Sequence, residues 1–280
     1  MPPNTTPTLG VEFSGIVTAL GSSSSSTNIS IGDAVFGLAY GGAYAEYICV
    51  STRMLLRKPE HLSFPQAAGV PEVWMTATQA LHFVLSAEVG SGKTILWHAG
   101  ASGVSIAGLQ LSRLAGLGDM FATAGTAEKC AFIEGALGAT KAFNYKEEDW
   151  VEGILKATGG KGVDLIVDFV GASYLQKNLD IVAGDGRICM LGLMGGAVVD
   201  KLDIGKLLYK RVRIEGSTLR SRDEDYQGRL SDKLAEYLPK FENGELKIFI
   251  DTVLPWEEIV KAHQLLEENK TKGKIICTIS

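Results

Sequence analysis

Long apolar runs and a surplus of basic residues are both absent from this chain. The longest apolar segments of the 280 residues, such as VDLIVDFV, fall far short of the ~20 residues that a membrane-spanning helix needs. The formal net charge is −5, and no block of like charge stands out, so nucleic acid is not expected as a partner. The first residues, MPPNTTPTLG, have neither the basic nor the apolar region of a signal peptide.

Cysteine is scarce and scattered. Cys49, Cys130, Cys189 and Cys277 form no closely spaced pair, so neither a zinc cluster nor a disulfide framework is expected. Reduced thiols are typical of a cytosolic protein, and a cytoplasmic location is therefore expected. The hydrophobic share of 46% is typical of a globular chain, and the length suits one or two domains.

The chain changes character after about 75 residues. The first part is predicted to be β-rich, on the turn signals and alternation in VEFSGIVTAL, SIGDAVFGL and GGAYAEYICV. Residues 21–27, GSSSSST, are predicted to be a flexible low-complexity loop. From PEVWMTATQALHFVL onward, helical and strand patterns alternate, which predicts an α/β fold with a doubly wound parallel sheet.

The predicted strands of this second part are short and mostly apolar. They are TILWHAG, DMFATAG, AFNY, GVDLIVDFVG, GRICMLGL and RVRIEGST. Helical spacing of apolar residues predicts helices in TAEKCAFIEGAL, EEDWVEGILKATG and DIGKLLYK. Residues 222–280 are predicted to add two helices and two further strands, IFIDTVL and KIICTI.

A glycine-rich turn follows the first of these strands, in the sequence WHAGASGVS. Gly100 allows a tight turn, and Gly103 leaves the start of the next helix bare. The amides of residues 102–104 and the helix dipole would then hold a pyrophosphate, although an ordinary glycine turn is the alternative. Ser105 adds a small polar side chain where the helix should touch the sheet, so looser helix–strand packing or a shifted loop is expected there.

The end of the second strand indicates which dinucleotide is bound. An acid ~20 residues after the turn would bind the ribose 2′-hydroxyl of NAD, and by counting alone Asp119 occupies that position. Asp119, however, opens the strand, whose other end offers Gly125 and Thr126, with Lys129 one helical turn further. A missing carboxylate and a nearby cation favour NADPH over NADH. A solvated helix surface is the alternative for Lys129.

Several motifs in order resemble one family. The segments that carry the resemblance include GVEFSG, GGAYAEY, QAAGVPEVWMTATQAL, HAGASGVS, DLIVDFVG and ENKTKGKI. The chain resembles the medium-chain dehydrogenase/reductases, in their zinc-independent quinone oxidoreductase branch. The resemblance covers Gly10 to Ile279. It implies a Rossmann domain, residues 76–215, inserted into a GroES-like β-barrel catalytic domain, residues 1–75 and 216–280. Only nine residues precede Gly10, where relatives have several strands, so the barrel is expected to be truncated and to expose strand edges.

The resemblance also implies which residues contact the cofactor. The pyrophosphate is expected at Ser102, Gly103 and Val104, and the 2′-phosphate at Gly125, Thr126, Lys129 and Tyr145. The nicotinamide half is expected to lie along Thr76, Val170, Leu191, Leu193 and Met194, and the further wall positions are Leu219 and Asn269.

Zinc is not expected. In zinc-dependent relatives the segment equivalent to GVEFSG carries a histidine ligand, and this chain has Val11 there, which cannot bind a metal. The histidines His61, His82, His98 and His263 have no partner at ligand spacing, so structural or surface roles are expected. Glu12 is expected to anchor the local backbone. Tyr44 and Tyr47 could hydrogen-bond a substrate carbonyl, but packing in the barrel is favoured for both.

Metal-free hydride chemistry favours electron-poor acceptors. Without a Lewis acid to acidify a hydroxyl, alcohol oxidation is hard, whereas a quinone tolerates the developing negative charge. The expected function is thus NADPH-dependent reduction of quinones, with activated alkenes (enoyl or enone compounds) second and no catalytic residue assigned. The alternative is an NADPH-binding protein with little catalysis. A homodimer is expected through the strand edge at VRIEGST, residues 212–218.

Overall fold

A computed structural model describes residues 6–22 and 28–279, and its internal contacts divide the chain into two units. Unit 1 comprises Met1–Thr76 and Leu219–Ser280, and unit 2 comprises Ala77–Thr218. These limits lie within a few residues of the predicted domain boundaries, and the assignment of the units to a catalytic and a cofactor-binding domain stays a proposal. The predicted loop GSSSSST lies mostly outside the described residues.

The N-terminal part of unit 1 forms a three-stranded antiparallel sheet. Its strands are β1 (Glu12–Ile16), β2 (Ala34–Leu38) and β3 (Leu55–Arg57), in that order. The first two confirm the predicted strands. Helix α1 (Phe64–Ala68) follows, begun by a capping box between Ser63 and Gln66, and then α2 (Pro71–Thr78), which runs into a π-helical segment, Gln79–Val84.

The third predicted strand of this part, GGAYAEYICV, is wrong. Gly41 and Gly42 have φ values of +145° and +87°, which breaks an extended run at its start. The amides of Gly42 and Tyr44 instead donate to the carbonyls of Thr8 and Leu9. The alternation of small and aromatic residues therefore reflects a looped segment that packs some of its side chains, and β3 was not anticipated.

Unit 2 is a doubly wound α/β unit, as predicted. Its elements are β4 (Ile95–Trp97), α3 (Gly103–Leu114), β5 (Met120–Ala124), α4 (Ala127–Leu137), β6 (Lys141–Asn144), α5 (Trp150–Ala157), β7 (Val163–Asp168), α6 (Ala172–Ile181), β8 (Val182–Met190), α7 (Gly205–Tyr209) and β9 (Arg213–Gly216). All six strands are parallel, in the order β6-β5-β4-β7-β8-β9.

The parallel sheet is buried on both faces at its centre. Leu96, Phe121, Ile166 and Ile188 come from four of its strands and are fully buried, together with Phe143 on β6. This burial explains why strands such as GVDLIVDFVG are almost continuously apolar. Helix α6, with the sequence ASYLQKNLDI, was not predicted, although Leu175, Asn178 and Leu179 recur at helical spacing and the last two are buried.

The C-terminal part of unit 1 contains α8 (Glu224–Ala235), α9 (Leu238–Glu242), β10 (Ile250–Pro255), α10 (Ile259–Glu267) and β11 (Lys274–Thr278). The two strands pair in parallel, and both were predicted. Within the described residues 222–279 there are three α-helices where two helices were expected, besides a short 3-10 turn at Trp256–Glu258. Pro239 accounts for the extra one, because it occupies the first turn of α9, where proline is tolerated, and cannot continue α8.

Candidate cofactor site

The glycine-rich turn leads directly into the N-terminus of a 12-residue helix. Strand β4 ends at Trp97, and Ser102 caps the 12-residue helix α3 by accepting the Ser105 amide at 3.4 Å. The amides of Gly103 and Val104 lie in the first turn and have no acceptor within the helix. Together with the positive end of the helix dipole, they suit the pyrophosphate of a dinucleotide.

Ser105 does not loosen the packing, so the expectation of a poor helix–strand contact there is wrong. Its side chain is fully buried, and its hydroxyl donates to the His98 carbonyl at 2.8 Å, which ties the start of α3 to the end of β4. The close approach occurs one turn later, at Gly108. A Cβ at that position would overlap the indole ring of Trp97.

The turn itself lies tightly against its neighbours. A Cβ on Gly100 would lie 2.7 Å from the Ala122 Cβ on β5 and 2.8 Å from Cδ1 of Ile133 on α4, so only glycine fits without displacement. The Gly100 amide donates to the Thr123 carbonyl at 2.8 Å. Ala99 takes a φ of +49°, a left-handed conformation that is strained for alanine and that recurs at ligand sites.

The end of β5 brings together the residues expected at a 2′-phosphate, whose contact with a cofactor stays a prediction. A Cβ on Gly125 would come within 2.8 Å of the Tyr145 hydroxyl, so this glycine lets the tyrosine lie against the strand end. Thr126 caps α4 by accepting the Lys129 amide at 3.2 Å. Lys129 is only 8% exposed, so the alternative of a solvated helix surface is wrong. Asp119 precedes β5 at the opposite end of the strand, where its carboxylate accepts the Thr140 hydroxyl at 3.1 Å.

The loops after β7 and β8 are joined into one platform. The Leu191 amide donates to the Asp168 carbonyl at 2.7 Å, and the Gly195 amide to the Val170 carbonyl, also at 2.7 Å. Leu193 and Met194 expose much of their side chains on this platform. The structure therefore brings Val170, Leu191, Leu193 and Met194 together at the carboxyl edge of the sheet, where ligands bind in such folds.

Three expected contact residues belong to unit 1, and their contact with a cofactor stays a prediction. Thr76 is mostly buried, and its hydroxyl donates to a carboxylate oxygen of Glu72 at 3.2 Å. Leu219 is buried, and its carbonyl accepts the Gln227 side-chain amide at 2.9 Å. Asn269 is exposed with a φ of +52°, a conformation that asparagine tolerates well.

A buried charge cluster in unit 1 was missed by sequence reasoning. One carboxylate oxygen of Glu12 accepts the backbone amide of Glu72 at 2.9 Å, and the other pairs with the Lys274 ammonium. This confirms that Glu12 anchors the local backbone. Burial raises the pKa of Glu72, and the nearby Glu12 charge raises it further. Burial opposes the charge on Lys274, but the carboxylate of Glu12 leaves its pKa raised. A lysine at the start of the apolar strand KIICT was the available signal.

The remaining candidates take structural or surface positions. The Tyr44 ring packs edge-on against Trp256, with ring centroids 5.3 Å apart, and its hydroxyl lies 3.3 Å from Nε2 of His263. Packing is thus confirmed for Tyr44, but it is wrong for Tyr47, which is 76% exposed. His61 is exposed, His82 is half-buried and His98 is fully buried.

Within residues 6–22 and 28–279, no three His, Cys, Asp or Glu side chains come together as a metal ion would require. No helix within them is both long and apolar enough to cross a membrane.

Comparison with known proteins agrees with this architecture. Residues 1–60 match the alcohol dehydrogenase GroES-like domain, and residues 137–277 match the zinc-binding dehydrogenase family. Human quinone oxidoreductase is 31% identical over 272 residues, which is 96% of this chain and 79% of that protein.

Two solved structures are similar over nearly the whole chain. The quinone oxidoreductase of Escherichia coli, complexed with NADPH, gives a TM-score of 0.84 at 28% identity, covering 99% of this chain and 84% of that one. The CurK enoyl reductase gives the same TM-score and identity, covering 98% and 79%. The chain belongs to the medium-chain dehydrogenase/reductase superfamily. It is an oxidoreductase of that superfamily, and the predicted α/β fold, with its parallel sheet and GroES-like domain, is confirmed.

Proposed function

We propose that the chain binds NADPH and reduces small electron-poor acceptors, quinones first. The observation that carries this proposal is the end of β5. There Gly125 stands in place of an acid, Tyr145 lies against it, and Lys129 follows within the first turn of α4. With glycine at position 125, the strand end itself carries no carboxylate to bind the ribose 2′-hydroxyl of NAD, and Lys129, next to Glu128 in the first turn of α4, is a nearby cation that can bind a 2′-phosphate. The NADPH complex of the Escherichia coli relative supports the same cofactor.

Three loops of unit 2 would each contact a different part of the cofactor. Gly100 shapes the turn, and Ser102, Gly103 and Val104 hold the pyrophosphate. Gly125, Thr126, Lys129 and Tyr145 surround the 2′-phosphate, and Val170, Leu191, Leu193 and Met194 orient the nicotinamide. Thr76, Leu219 and Asn269 of unit 1 are proposed as further contacts. NADPH supplies the hydride when bound, and the role of these side chains is to orient it and keep water away.

A conjugated enone is the second candidate substrate, favoured by the similarity to the CurK enoyl reductase. Both acceptors take a hydride and then a proton, so the fold alone does not separate them. The test is NADPH oxidation, followed by absorbance, with a simple para-quinone and with a conjugated enone in parallel. Faster turnover of the quinone supports the proposal, and faster turnover of the enone replaces it with the second candidate. Binding without oxidation of either would favour the alternative of a binding protein.

Cofactor preference gives a prediction for Gly125→Asp. The wild type should bind NADPH at least about tenfold tighter than NADH, which is ~1.4 kcal/mol. In the variant the new carboxylate repels the 2′-phosphate and can bind a ribose hydroxyl, so the preference should reverse. Fluorescence titration with both cofactors measures it.

Gly125→Ala is the matched control, because its Cβ also presses on Tyr145 but carries no charge. It should weaken binding of both cofactors without reversing the preference. Equal affinities of the wild type for NADPH and NADH would contradict the 2′-phosphate site.

We also propose a homodimer that pairs through the outermost strand β9. This strand has a neighbour on one side in the six-stranded sheet, and exposed strand edges favour pairing. Ile204, Leu208 and Tyr209, shortly before it in the chain, expose apolar side chains that such an interface would cover. Light scattering at micromolar concentration should give twice the chain mass of 29.9 kDa, and a monomer would contradict the proposal.

A further inference from the structure

A continuous polar network crosses the fully buried interior of unit 2 directly beneath the carboxyl edge of the sheet. Its centre is His98, the residue after β4. Nδ1 of His98 lies 3.0 Å from the Thr123 hydroxyl on β5, and Nε2 lies 2.8 Å from the side-chain oxygen of Asn178 on α6. The Asn178 side-chain amide in turn donates to the Asp168 carboxylate at 3.1 Å. All four side chains are at most 1% exposed.

Around a neutral imidazole, the network permits one arrangement of protons. Asp168 also accepts the backbone amides of Val170 at 2.7 Å and Gly171 at 3.2 Å, so its carboxylate acts only as an acceptor. Asn178 must therefore point its NH₂ group at Asp168 and its oxygen at His98. Consequently His98 donates from Nε2 and accepts the Thr123 hydroxyl at Nδ1, which is the neutral Nε2–H tautomer.

The surroundings of His98 favour the neutral imidazole chiefly through burial. Burial lowers the pKa of His98, and the Asp168 carboxylate opposes this only in part. The rings of Trp150 and Tyr174 pack edge-on against the imidazole, with centroids 5.0 and 4.8 Å away. Burial raises the pKa of Tyr174 to about 12, and the Lys177 ammonium lies over the outer ring faces.

Each end of the network reaches a loop of the proposed cofactor site. The His98 carbonyl accepts the Ser105 hydroxyl, which itself accepts from Ser102 at 3.2 Å in the pyrophosphate turn. Thr123 lies two residues before Gly125 on β5. Asp168 fixes the turn that carries Val170. One buried residue, His98, is therefore linked to all three loops, to the pyrophosphate turn by its carbonyl and to the other two through its imidazole.

We propose that neutral His98, through Thr123 and Asn178, is a positioning residue that holds the three NADPH-binding loops in their binding geometry. The proposal rests on the proposed NADPH binding. Protonation of His98 would place a donor on both ring nitrogens, so the Thr123 hydroxyl would have to accept from Nδ1 and turn its own proton to another acceptor. The neutral imidazole, in contrast, uses both of its nitrogens and the Thr123 proton within the network.

Two variants and one matched control test this role. Asn178→Leu leaves His98 and Asp168 without their link, and Thr123→Val removes only the hydroxyl at Nδ1. Ser112→Ala is the control, because the Ser112 hydroxyl makes an equally buried bond with Trp97 in the same unit, at 3.1 Å, outside the network. We expect the Kd for NADPH to rise about tenfold in the two network variants, as for a buried group left unsatisfied. In Ser112→Ala the Kd should stay within about twofold, with a similar loss of thermal stability.

Two readouts do not need the cofactor. Nitrogen-15 NMR of the unliganded wild type should show His98 protonated at Nε2 alone. Amide hydrogen exchange at Val170 and Gly171 should accelerate in Asn178→Leu and remain unchanged in Ser112→Ala. Thr123→Ser, which keeps the hydroxyl, should restore wild-type affinity.

The pH dependence of the unfolding free energy is a further test of whether the folded state holds His98 neutral. Because the folded state holds His98 neutral with a lowered pKa, its stabilising effect is complete above the unfolded pKa of ~6.5 and is lost as the pH falls below that value. The free energy of unfolding should therefore decrease more between about pH 7 and about pH 5 in the wild type than in His98→Gln, whose side chain does not titrate there.

Three results would overturn the proposal. They are an Nδ1–H tautomer, an unchanged Kd in folded network variants, and equal losses of affinity in these variants and in Ser112→Ala. If the wild type itself fails to bind NADPH, the proposed function fails instead, and the NMR and hydrogen-exchange results still decide whether the network positions the loops.

Discussion

Gly103→Val is expected to abolish NADPH binding in a protein that still folds. Gly103 is the first residue of α3, directly after the capping Ser102, and its amide is among those that face the proposed pyrophosphate. A branched side chain there would fill the space through which the phosphates reach the backbone amides. Isothermal titration measures the loss, and circular dichroism establishes that the variant is folded.

The control for this substitution is Gly135→Val. Gly135 is also a helical glycine of unit 2, in α4, and a Cβ on it would meet no atom within 4 Å. The same change from glycine to valine should therefore leave the affinity for NADPH unaltered. Its effect on the stability of the helix backbone should be similar to that of Gly103→Val. If folded Gly103→Val binds NADPH as tightly as Gly135→Val does, the sequence GASGVS is only a turn and the cofactor site is elsewhere.

Lys274→Met is expected to cost unit 1 about 3–5 kcal/mol of unfolding free energy. The Lys274 ammonium and the Glu12 carboxylate pair with side chains only 22% and 12% exposed. Removing the lysine leaves Glu12 as an uncompensated charge beside Glu72, with little water to solvate it. Urea denaturation gives the free energy, and hydrogen exchange at β1 and β11 shows that the loss lies in unit 1.

A double variant separates charge from packing. Adding Glu12→Gln to Lys274→Met removes the uncompensated charge and keeps an oxygen that can accept the Glu72 amide, so part of the stability should return. Lys270→Met is the control. Lys270 pairs with Glu268 on the surface, with side chains 77% and 49% exposed, and such pairs contribute at most ~1 kcal/mol. Equal losses of unfolding free energy in Lys274→Met and Lys270→Met would show that the buried pair stabilises the fold no more than the surface pair does.

Most of unit 2 could be predicted from local sequence. The nearly continuous apolar segment GVDLIVDFVG indicates a strand covered on both faces, and it forms β7 at the centre of a parallel sheet. Gly100 and Gly103, between an apolar strand and an amphipathic helix, predict the turn that begins α3. These predictions succeed because side-chain period and the demands of tight turns act over a few residues.

The local sequence pattern gives a wrong prediction where contacts between residues distant in the chain determine the conformation. GGAYAEYICV alternates as a strand does, but glycines with positive φ turn it into a loop that bonds to residues 8–10. From the sequence, Ser105 is expected to disturb the packing of the cofactor turn, but its hydroxyl donates to the His98 carbonyl. The close contact between helix and strand occurs at Gly108 instead.

The sequence by itself determined the alternation of strands and helices in unit 2, the glycine-rich turn and the glycine, in place of an acid, directly after β5. Only the tertiary structure decided which distant side chains meet: Glu12 with Lys274, Gly125 with Tyr145, and His98 with Asn178, 80 residues further on. The physical reason is that buried polar groups must find partners wherever the fold brings them. Which partners are near depends on the packing of whole elements, and no short stretch of sequence encodes that.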